Sequence, residues 1–117
     1  MDSGCPVQNS LKLIGGKWKI TLMYNLRNGP MRFGELKRSL VKITQQMLTK
    51  QLRELESDHL IDRKVFEVIP PRVEYSLTDF GISILPVLDS LCKWSSEHEE
   101  LIDAILDDQL IKYITFL

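Results

Sequence analysis

The sequence predicts an α+β fold that is mainly helical, on three observations. Four segments between residues 7 and 57 carry apolar residues at the three- and four-residue spacing of a helix. Two strand-like runs follow at residues 61–68 and 72–77. From about Asp79 onward the spacing is helical again. Helices followed by a two-stranded hairpin, with a short turn between the third and fourth helix, are the element order of a winged helix-turn-helix.

The first three helices are short. Pro6 suits the first turn of a helix over residues 7–14, and a glycine pair stops that helix. A second helix over residues 17–27 is stopped by glycine and proline. Residues 31–33 predict a brief strand, and residues 33–40 predict a third helix whose apolar side chains share one face.

The fourth helix carries the face that we expect to read DNA. Thr44 is a typical N-cap residue, so the helix is predicted from Gln45 to about Ser57. A helix that enters the major groove holds itself in the protein by an apolar stripe and shows polar groups to the base edges. Here the stripe is leucine, and the opposite face has no carboxylate among its residues: Gln45, Gln46, Thr49, Lys50 and Arg53. Taken alone, this pattern favours an ordinary amphipathic surface helix.

The hairpin gives a second, independent indication. Pro70 and Pro71 stiffen its tip, so the neighbouring Arg72, with Arg63 and Lys64 lower on the hairpin, can be presented to a minor groove or a run of phosphates. A structural turn with solvated charges is the alternative for each residue. Four further cations are weaker candidates for phosphate contacts: Lys17, Lys19, Arg32 and Lys37.

The charge of the chain is divided between its two parts. Residues 1–78 carry 13 basic and 8 acidic side chains, a net charge of +5, whereas residues 79–117 carry 2 and 8, a net charge of −6. Such asymmetry is typical of a protein in which one part meets a polyanion. An acidic tail that is simply solvated is the alternative.

Composition excludes several classes of protein. The N-terminus has no basic region followed by an apolar stretch, and about 18 consecutive apolar residues occur nowhere, so we expect a cytoplasmic protein without a membrane segment. Two distant cysteines, Cys5 and Cys92, support neither a disulfide scaffold nor a four-ligand zinc site.

Catalysis is not expected either. Ser57, Asp58 and His59 have the residue types of a hydrolytic triad, but adjacent residues at a helix end point in different directions. His98 lacks partners at metal-ligand spacing, and the isolated glycine pair is no phosphate-binding loop. We therefore predict no enzyme, no cofactor and no metal.

Several segments together resemble the HxlR family of bacterial and archaeal winged-helix regulators. They are CPV, LIGGKWKITLMYNL, MRFGELKRSL, TQQMLTKQLRELE and PPRVEYSLTDFG, in this order, and the match as a whole covers about Cys5 to Trp94. The resemblance implies a recognition helix at Gln45 to Ser57 and a wing around Ile69 to Val73. It also implies regulation of nearby genes, often in response to electrophiles or oxidants, and we expect a repressor.

The resemblance further implies a homodimer through the first helix and the C-terminal helices. A domain of 117 residues leaves much apolar surface uncovered, which also favours oligomerisation. We expect one domain over residues 1–117, with a core and wing at 7–78 and a dimerisation segment at 79–117. The expected interface residues are apolar: Leu11, Ile14, Leu88, Leu91, Leu101 and Ile105.

The chain departs from the family pattern in two places. His59 stands where the family usually has glycine after the recognition helix, and it can take a left-handed conformation at a cost of about 0.5 to 1 kcal/mol. An acidic, helical extension follows Trp94, where the family pattern ends, so the shape of the dimer interface is left open.

Cys5 is the candidate redox residue. It precedes Pro6, so we expect it at the N-cap of the first helix, where free N–H groups and the helix dipole favour the thiolate. It also resembles the N-terminal cysteine of redox-responsive family members. Our hypothesis is that oxidation or alkylation of Cys5 changes the angle between the two recognition helices, one form being a disulfide to Cys5 or Cys92 of the other subunit. The alternative is an exposed thiol without a role, and Cys92 is expected to be buried and inert.

Two other functions use the same fold. A winged helix can serve as a protein-interaction module, but an interaction surface would prefer apolar or acidic residues on the fourth helix. A pocket for a small phenolic or drug-like effector between the dimerisation helices is compatible with DNA binding. The amide- and cation-rich face therefore favours double-stranded DNA as the partner.

Overall fold

The computed structural model describes residues 5–115 and confirms the mainly helical α+β class. Residues 1–4 and 116–117 of the expected single domain lie outside the described residues. The described part divides into two compact units, one ending at Leu85 and the other starting at Pro86. The elements in chain order are α1 (Val7–Ile14), α2 (Lys19–Asn25), β1 (Met31–Arg32), α3 (Phe33–Ser39), α4 (Gln45–Ser57), β2 (Ile61–Phe66), β3 (Arg72–Leu77), α5 (Asp79–Ile82), α6 (Leu85–Glu97) and α7 (Glu99–Thr115).

The core of the first unit is formed by aliphatic side chains of α2, α3 and α4 and of the start of β2. The predicted stripe of α4 is buried completely, and Leu48 and Leu55 have no exposed surface. Burial of each such side chain stabilises the fold by roughly 1.5 to 3 kcal/mol. Partners in this core are Leu22, Met23, Leu26, Leu36, Leu60 and Ile61.

The sheet is antiparallel, with β3 between β1 and β2. Six residue pairs join β2 to β3, from Ile61 opposite Leu77 to Phe66 opposite Arg72. The prediction extended the first strand to Val68, which is wrong by two residues. Because the prolines of the tip have no N–H to donate, the ladder cannot continue beyond Phe66, and residues 67–71 form the loop. The Ile69–Pro70 peptide bond is cis.

Three hydrogen bonds of Thr78 join the end of α4 to the start of α5. His59 has a φ of 62°, which is the left-handed conformation predicted for it. The hydroxyl of Thr78 donates to the carbonyl of His59 at 2.7 Å and accepts from the N–H of Gly81 at 2.9 Å. The N–H of Thr78 donates to the carbonyl of Leu60 at 3.1 Å. We call these four residues the Thr78 joint.

The helical region that starts at Asp79 is broken just before Pro86. The helix α5 ends at Ile82 and α6 starts at Leu85, so Pro86 falls in the first turn of a new helix. Its missing N–H removes no helical hydrogen bond there. The helices α6 and α7 are separated only by His98, whose Nδ1 lies 2.9 Å from the carbonyl oxygen of Trp94.

Most apolar side chains of α6 and α7 are exposed on the single chain. The described part of α6 buries Leu88, and α7 has no buried residue among residues 99–112. None of the described helices has the length and apolarity that a membrane span needs. The exposed aliphatic side chains are Val87, Leu91, Leu101, Ile105, Leu106, Leu110 and Ile111.

We predict that Gly81→Ala destabilises the protein, because an added Cβ would lie 2.1 Å from the carbonyl oxygen of Leu60. Relieving that overlap requires the Thr78 joint to open, at a cost of about 1 to 3 kcal/mol. Gly34→Ala is the matched control, since its added Cβ would have no neighbour closer than 3.5 Å. Alanine in place of this glycine of α3 should raise the free energy of unfolding by up to about 1 kcal/mol. Chemical denaturation of the three proteins measures both changes. Equal stabilities for the two variants would show that α5 does not depend on this close approach.

Candidate nucleic-acid interface

Thr44 fixes where α4 begins. Its side-chain oxygen accepts a hydrogen bond from the N–H of Met47 at 3.1 Å, as expected for an N-cap residue. This hydrogen bond satisfies one of the free donors of the first turn. The role of Thr44 seen in the structure is therefore to set the start of α4.

The structure brings the five predicted residues of α4 to one face. Gln45, Gln46, Lys50 and Arg53 are exposed, and Thr49 is half-buried. The Thr49 hydroxyl donates to the carbonyl of Gln45 at 2.9 Å, so its methyl group and the lone pairs of its oxygen remain for a ligand. A shallow depression of about 610 Å³ is lined by these five residues and Glu54. We call the five residues the recognition face.

Glu54, which the sequence argument missed, is neutralised by Lys19. The Nζ atom of Lys19 lies 3.5 Å from Oε1 of Glu54, and only 9% of Lys19 is exposed. The prediction that Lys19 contacts phosphate is therefore wrong. The sequence did contain the signal, because Lys19 is followed at the helical spacings i+3, i+4 and i+7 by the buried residues Leu22, Met23 and Leu26.

A second depression lies between α4 and the sheet. It has a volume of about 490 Å³, and the guanidinium-bearing residues Arg53 of α4 and Arg63 of β2 both line it. Arg63 stands opposite Tyr75 in the ladder, so the sheet carries it to this position. Glu56 also lines the depression and was missed by the sequence argument. The depression thus brings two exposed arginines together, and their contact with a nucleic-acid backbone stays a prediction.

The cations of the hairpin lie along it and do not cap its tip. The Nε atom of Arg72 is 3.2 Å from Oε2 of Glu74, without the alignment of a hydrogen bond, and its guanidinium lies 4.3 Å from the ring centre of Phe66. Lys64 approaches the same ring, at 4.9 Å. Contrary to the prediction, Arg72 is thus not presented freely at the tip. The tip instead shows Pro70 and Pro71 with their apolar neighbours.

The three remaining cation candidates line neither depression. Lys17 is exposed, with Nζ 5.0 Å from the ring centre of Trp18. Arg32 is exposed at the N-cap of α3, where its backbone N–H donates to Oε1 of Glu35 at 2.9 Å. Lys37 is half-buried. Their part in binding stays a prediction.

The second unit is acidic. Residues 86–117 carry seven carboxylates and two lysines. Both lysines are paired one turn away in the helix: Lys93 with Glu97 at 3.8 Å and Lys112 with Asp108 at 3.1 Å. Such a surface repels a polyanion, so the face of α4 with Lys50 and Arg53, together with Arg63 of β2, remains the candidate interface. The described residues contain no cluster of side chains suited to hold a metal ion.

Four of the six expected dimer residues are exposed on the single chain. Leu11, Leu91, Leu101 and Ile105 show between 45% and 59% of their surface. The other two, Ile14 and Leu88, are only 8% and 3% exposed because they already pack within the chain. Contrary to the prediction, these two residues therefore have little surface left for contact with a second subunit.

Both cysteines lie on the surface. The N-cap of α1 is Pro6, so Cys5 precedes the cap by one residue and does not occupy it as expected. Cys92 was expected to be buried beside Leu88, and this is wrong. The single chain covers Leu88 but leaves the neighbouring positions of α6 uncovered, Cys92 among them.

A small apolar crevice lies between α1 and α5. Its volume is about 140 Å³, and Leu13, Leu60 and Phe80 are among its lining residues. Pockets for drug-sized ligands usually measure about 300 to 1,000 Å³. A cavity of this size suits at most a molecule as small as benzene.

Known transcriptional regulators are similar to this chain over most of its length. The sequence profile of the HxlR-like helix-turn-helix family matches residues 13–103. The HTH-type transcriptional regulator YdeP of Bacillus subtilis (strain 168) is 49% identical over 102 residues, which are 87% of this chain and 80% of YdeP. The structure of the redox regulator HypR in its reduced form matches with a TM-score of 0.81 at 43% identity, over 86% of this chain and 99% of HypR. Its oxidized form matches with a TM-score of 0.76 at 47% identity, over 80% and 96%.

Proposed function

Since this chain belongs to the HxlR-like helix-turn-helix family of transcriptional regulators, we propose that it represses genes by binding operator DNA as a homodimer. The observation that supports the proposal is the recognition face. Its residues are uncharged or basic, all but the half-buried Thr49 are exposed, and the leucine stripe on the opposite side of α4 is buried. A protein-interaction module would show apolar or acidic groups there.

Each residue type of the recognition face has a partner in the major groove. The amides of Gln45 and Gln46 suit the N6 and N7 groups of adenine, and Arg53 or Lys50 suits guanine or phosphate. The methyl group of Thr49, whose hydroxyl hydrogen is already used, suits the methyl group of thymine. Arg63 contacts the backbone beside this groove. Together these contacts account for both specificity and affinity.

Dimerisation supplies the second half of the binding site. The exposed aliphatic side chains of α1 and α7 form surfaces of the kind that an isolated chain rarely leaves in water. A two-fold dimer that covers them presents two copies of α4 to half-sites about 34 Å apart, or a multiple of that distance. A dimer bound across a promoter excludes polymerase from it, which makes repression the expected outcome.

Cys5 is the proposed sensor. Its thiol is exposed next to the cap of α1, and the likeness to HypR, a redox regulator with a reduced and an oxidized form, supports this role. Cys92 is exposed as well and is a candidate partner. Oxidation would join two thiols of different subunits and change the angle between the two recognition helices.

We predict that Lys50→Ala and Arg53→Ala weaken binding to a duplex selected by the protein from a random pool. Each variant should lower the slope of log affinity against log salt by about one, because one phosphate contact is lost. Gln46→Ala should instead relax the preference at one base position, by about 1 to 3 kcal/mol. Fluorescence anisotropy at four salt concentrations measures both quantities.

Lys112→Ala is the matched control for charge, since it removes one cation that is already paired on α7. Its salt slope should equal that of the unmodified protein. If Lys50→Ala and Arg53→Ala behave like this control, α4 is not the DNA-contacting helix.

We predict that Ile105→Asp prevents dimerisation, because it would place a charge in an apolar interface. Analytical ultracentrifugation should show a monomer at micromolar concentration and a dimer for the unmodified protein. Asp107→Lys changes the charge at an exposed position that does not share a helix face with Ile105 and should stay dimeric. A dimeric Ile105→Asp, or a monomeric unmodified protein, contradicts the proposed assembly.

We predict that diamide produces a disulfide-linked dimer and changes operator affinity at least tenfold. Cys5→Ser should show neither effect, whereas Cys92→Ser distinguishes a Cys5–Cys5 bridge, which survives, from a Cys5–Cys92 bridge, which is lost. Non-reducing electrophoresis and anisotropy on the same samples measure the two effects. Unchanged affinity of the treated protein ends the redox hypothesis while leaving DNA binding intact.

A further inference from the structure

The tip of the hairpin is apolar and exposed. Ile69 has a relative exposure of 101%, and Val68 has 48%. Pro70 and Pro71, which follow, are exposed as well. None of the described residues covers Ile69. Four consecutive exposed apolar residues at a stiff turn form a patch of the kind that marks a contact with a partner.

The chemistry of the tip does not suit phosphate. The nearest cations, Lys64 and Arg72, lie against Phe66, and Arg72 is paired with Glu74. Glu67 at the edge of the loop is exposed and would repel a phosphate. An apolar tip suits the sugar walls and base edges of a minor groove, into which architectural proteins insert isoleucine and proline side chains.

The hairpin stands where it can reach such a groove. Arg63 of β2 lines the same depression as Arg53 of α4, so the middle of the ladder lies beside the recognition face. From Arg63 to Ile69 the chain advances six residues, which at about 3.3 Å each reach at most roughly 20 Å. This is enough to span half of the 34 Å helical turn of DNA, the distance from a major groove to the neighbouring minor groove.

We propose that Ile69 is the residue that the wing inserts into the minor groove, as an apolar wedge in place of a cation. The proposal rests on the proposed DNA binding and adds the residue, the groove and the type of contact. Since no counterion is released by an apolar contact, its contribution to affinity is independent of salt. Base steps that unstack easily, such as TA and CA, should be preferred at that position.

The test compares Ile69→Ser and Ile69→Leu on the duplex selected from a random pool. Ile69→Ser should lower affinity about tenfold at every salt concentration, with an unchanged salt slope. Ile69→Leu retains an apolar side chain of the same volume and should restore most of the affinity. A fall in salt slope for Ile69→Ser would show that the tip acts through phosphates and would overturn the proposal.

A modified duplex identifies the groove. Replacing adenine by 2,6-diaminopurine in the segments flanking each half-site adds an amino group to the minor groove and leaves the major-groove contacts in place. The unmodified protein should lose affinity for this duplex, and Ile69→Ser should bind both duplexes equally.

If Ile69→Ser and the unmodified protein bind naked DNA with equal affinity, the wedge is excluded and the tip serves a protein partner. If the unmodified protein binds no duplex at all, the proposed function itself fails.

Discussion

Burial of the leucine stripe of α4 determines which side of this helix faces outward. Leu48, Leu52 and Leu55 are at most 2% exposed, so rotation of α4 about its axis would bring at least one of them into water. The cost of exposing even one, about 1.5 to 3 kcal/mol, exceeds any gain from a polar residue on the surface. The Thr44 cap fixes the start of the helix, and the Lys19–Glu54 pair holds its side against α2. The recognition face is therefore a consequence of the core.

Sequence reasoning succeeded where the cause is local. The start of α4 at Gln45, its end at Ser57 and the left-handed His59 follow from a cap residue, an apolar period and a turn position, and all three are confirmed. It failed where the cause lies elsewhere in the chain. The partner of Lys19 is Glu54 of another helix, which the pattern along α2 does not reveal. The partner of Arg72 could have been foreseen, since Glu74 lies two residues away on the same face of β3. Burial of Cys92 was expected from a stripe that the single chain does not cover.

The Thr78 joint gives the recognition helix a fixed end as well as a fixed start. One hydroxyl donates to His59 just beyond α4 and accepts from the first turn of α5. The absence of a Cβ at Gly81 permits this approach. Because β2 begins and β3 ends at the joint, the wing, the recognition helix and α5 share one anchor.

In the proposed homodimer, the division of charge would give dimerisation and DNA binding opposite responses to salt. Counterion release would weaken the proposed DNA contacts of the first unit as salt rises. The acidic helices of the two copies would repel each other, and salt screens such repulsion over about 8 Å at physiological ionic strength. At protein concentrations below the dissociation constant of the dimer the two effects partly cancel. Added salt then increases the fraction of dimer, which is the species that binds DNA. The salt dependence of DNA binding by the recognition face can be measured alone only at protein concentrations at which nearly all subunits are dimeric. The strength of the apolar contact between the subunits sets that concentration.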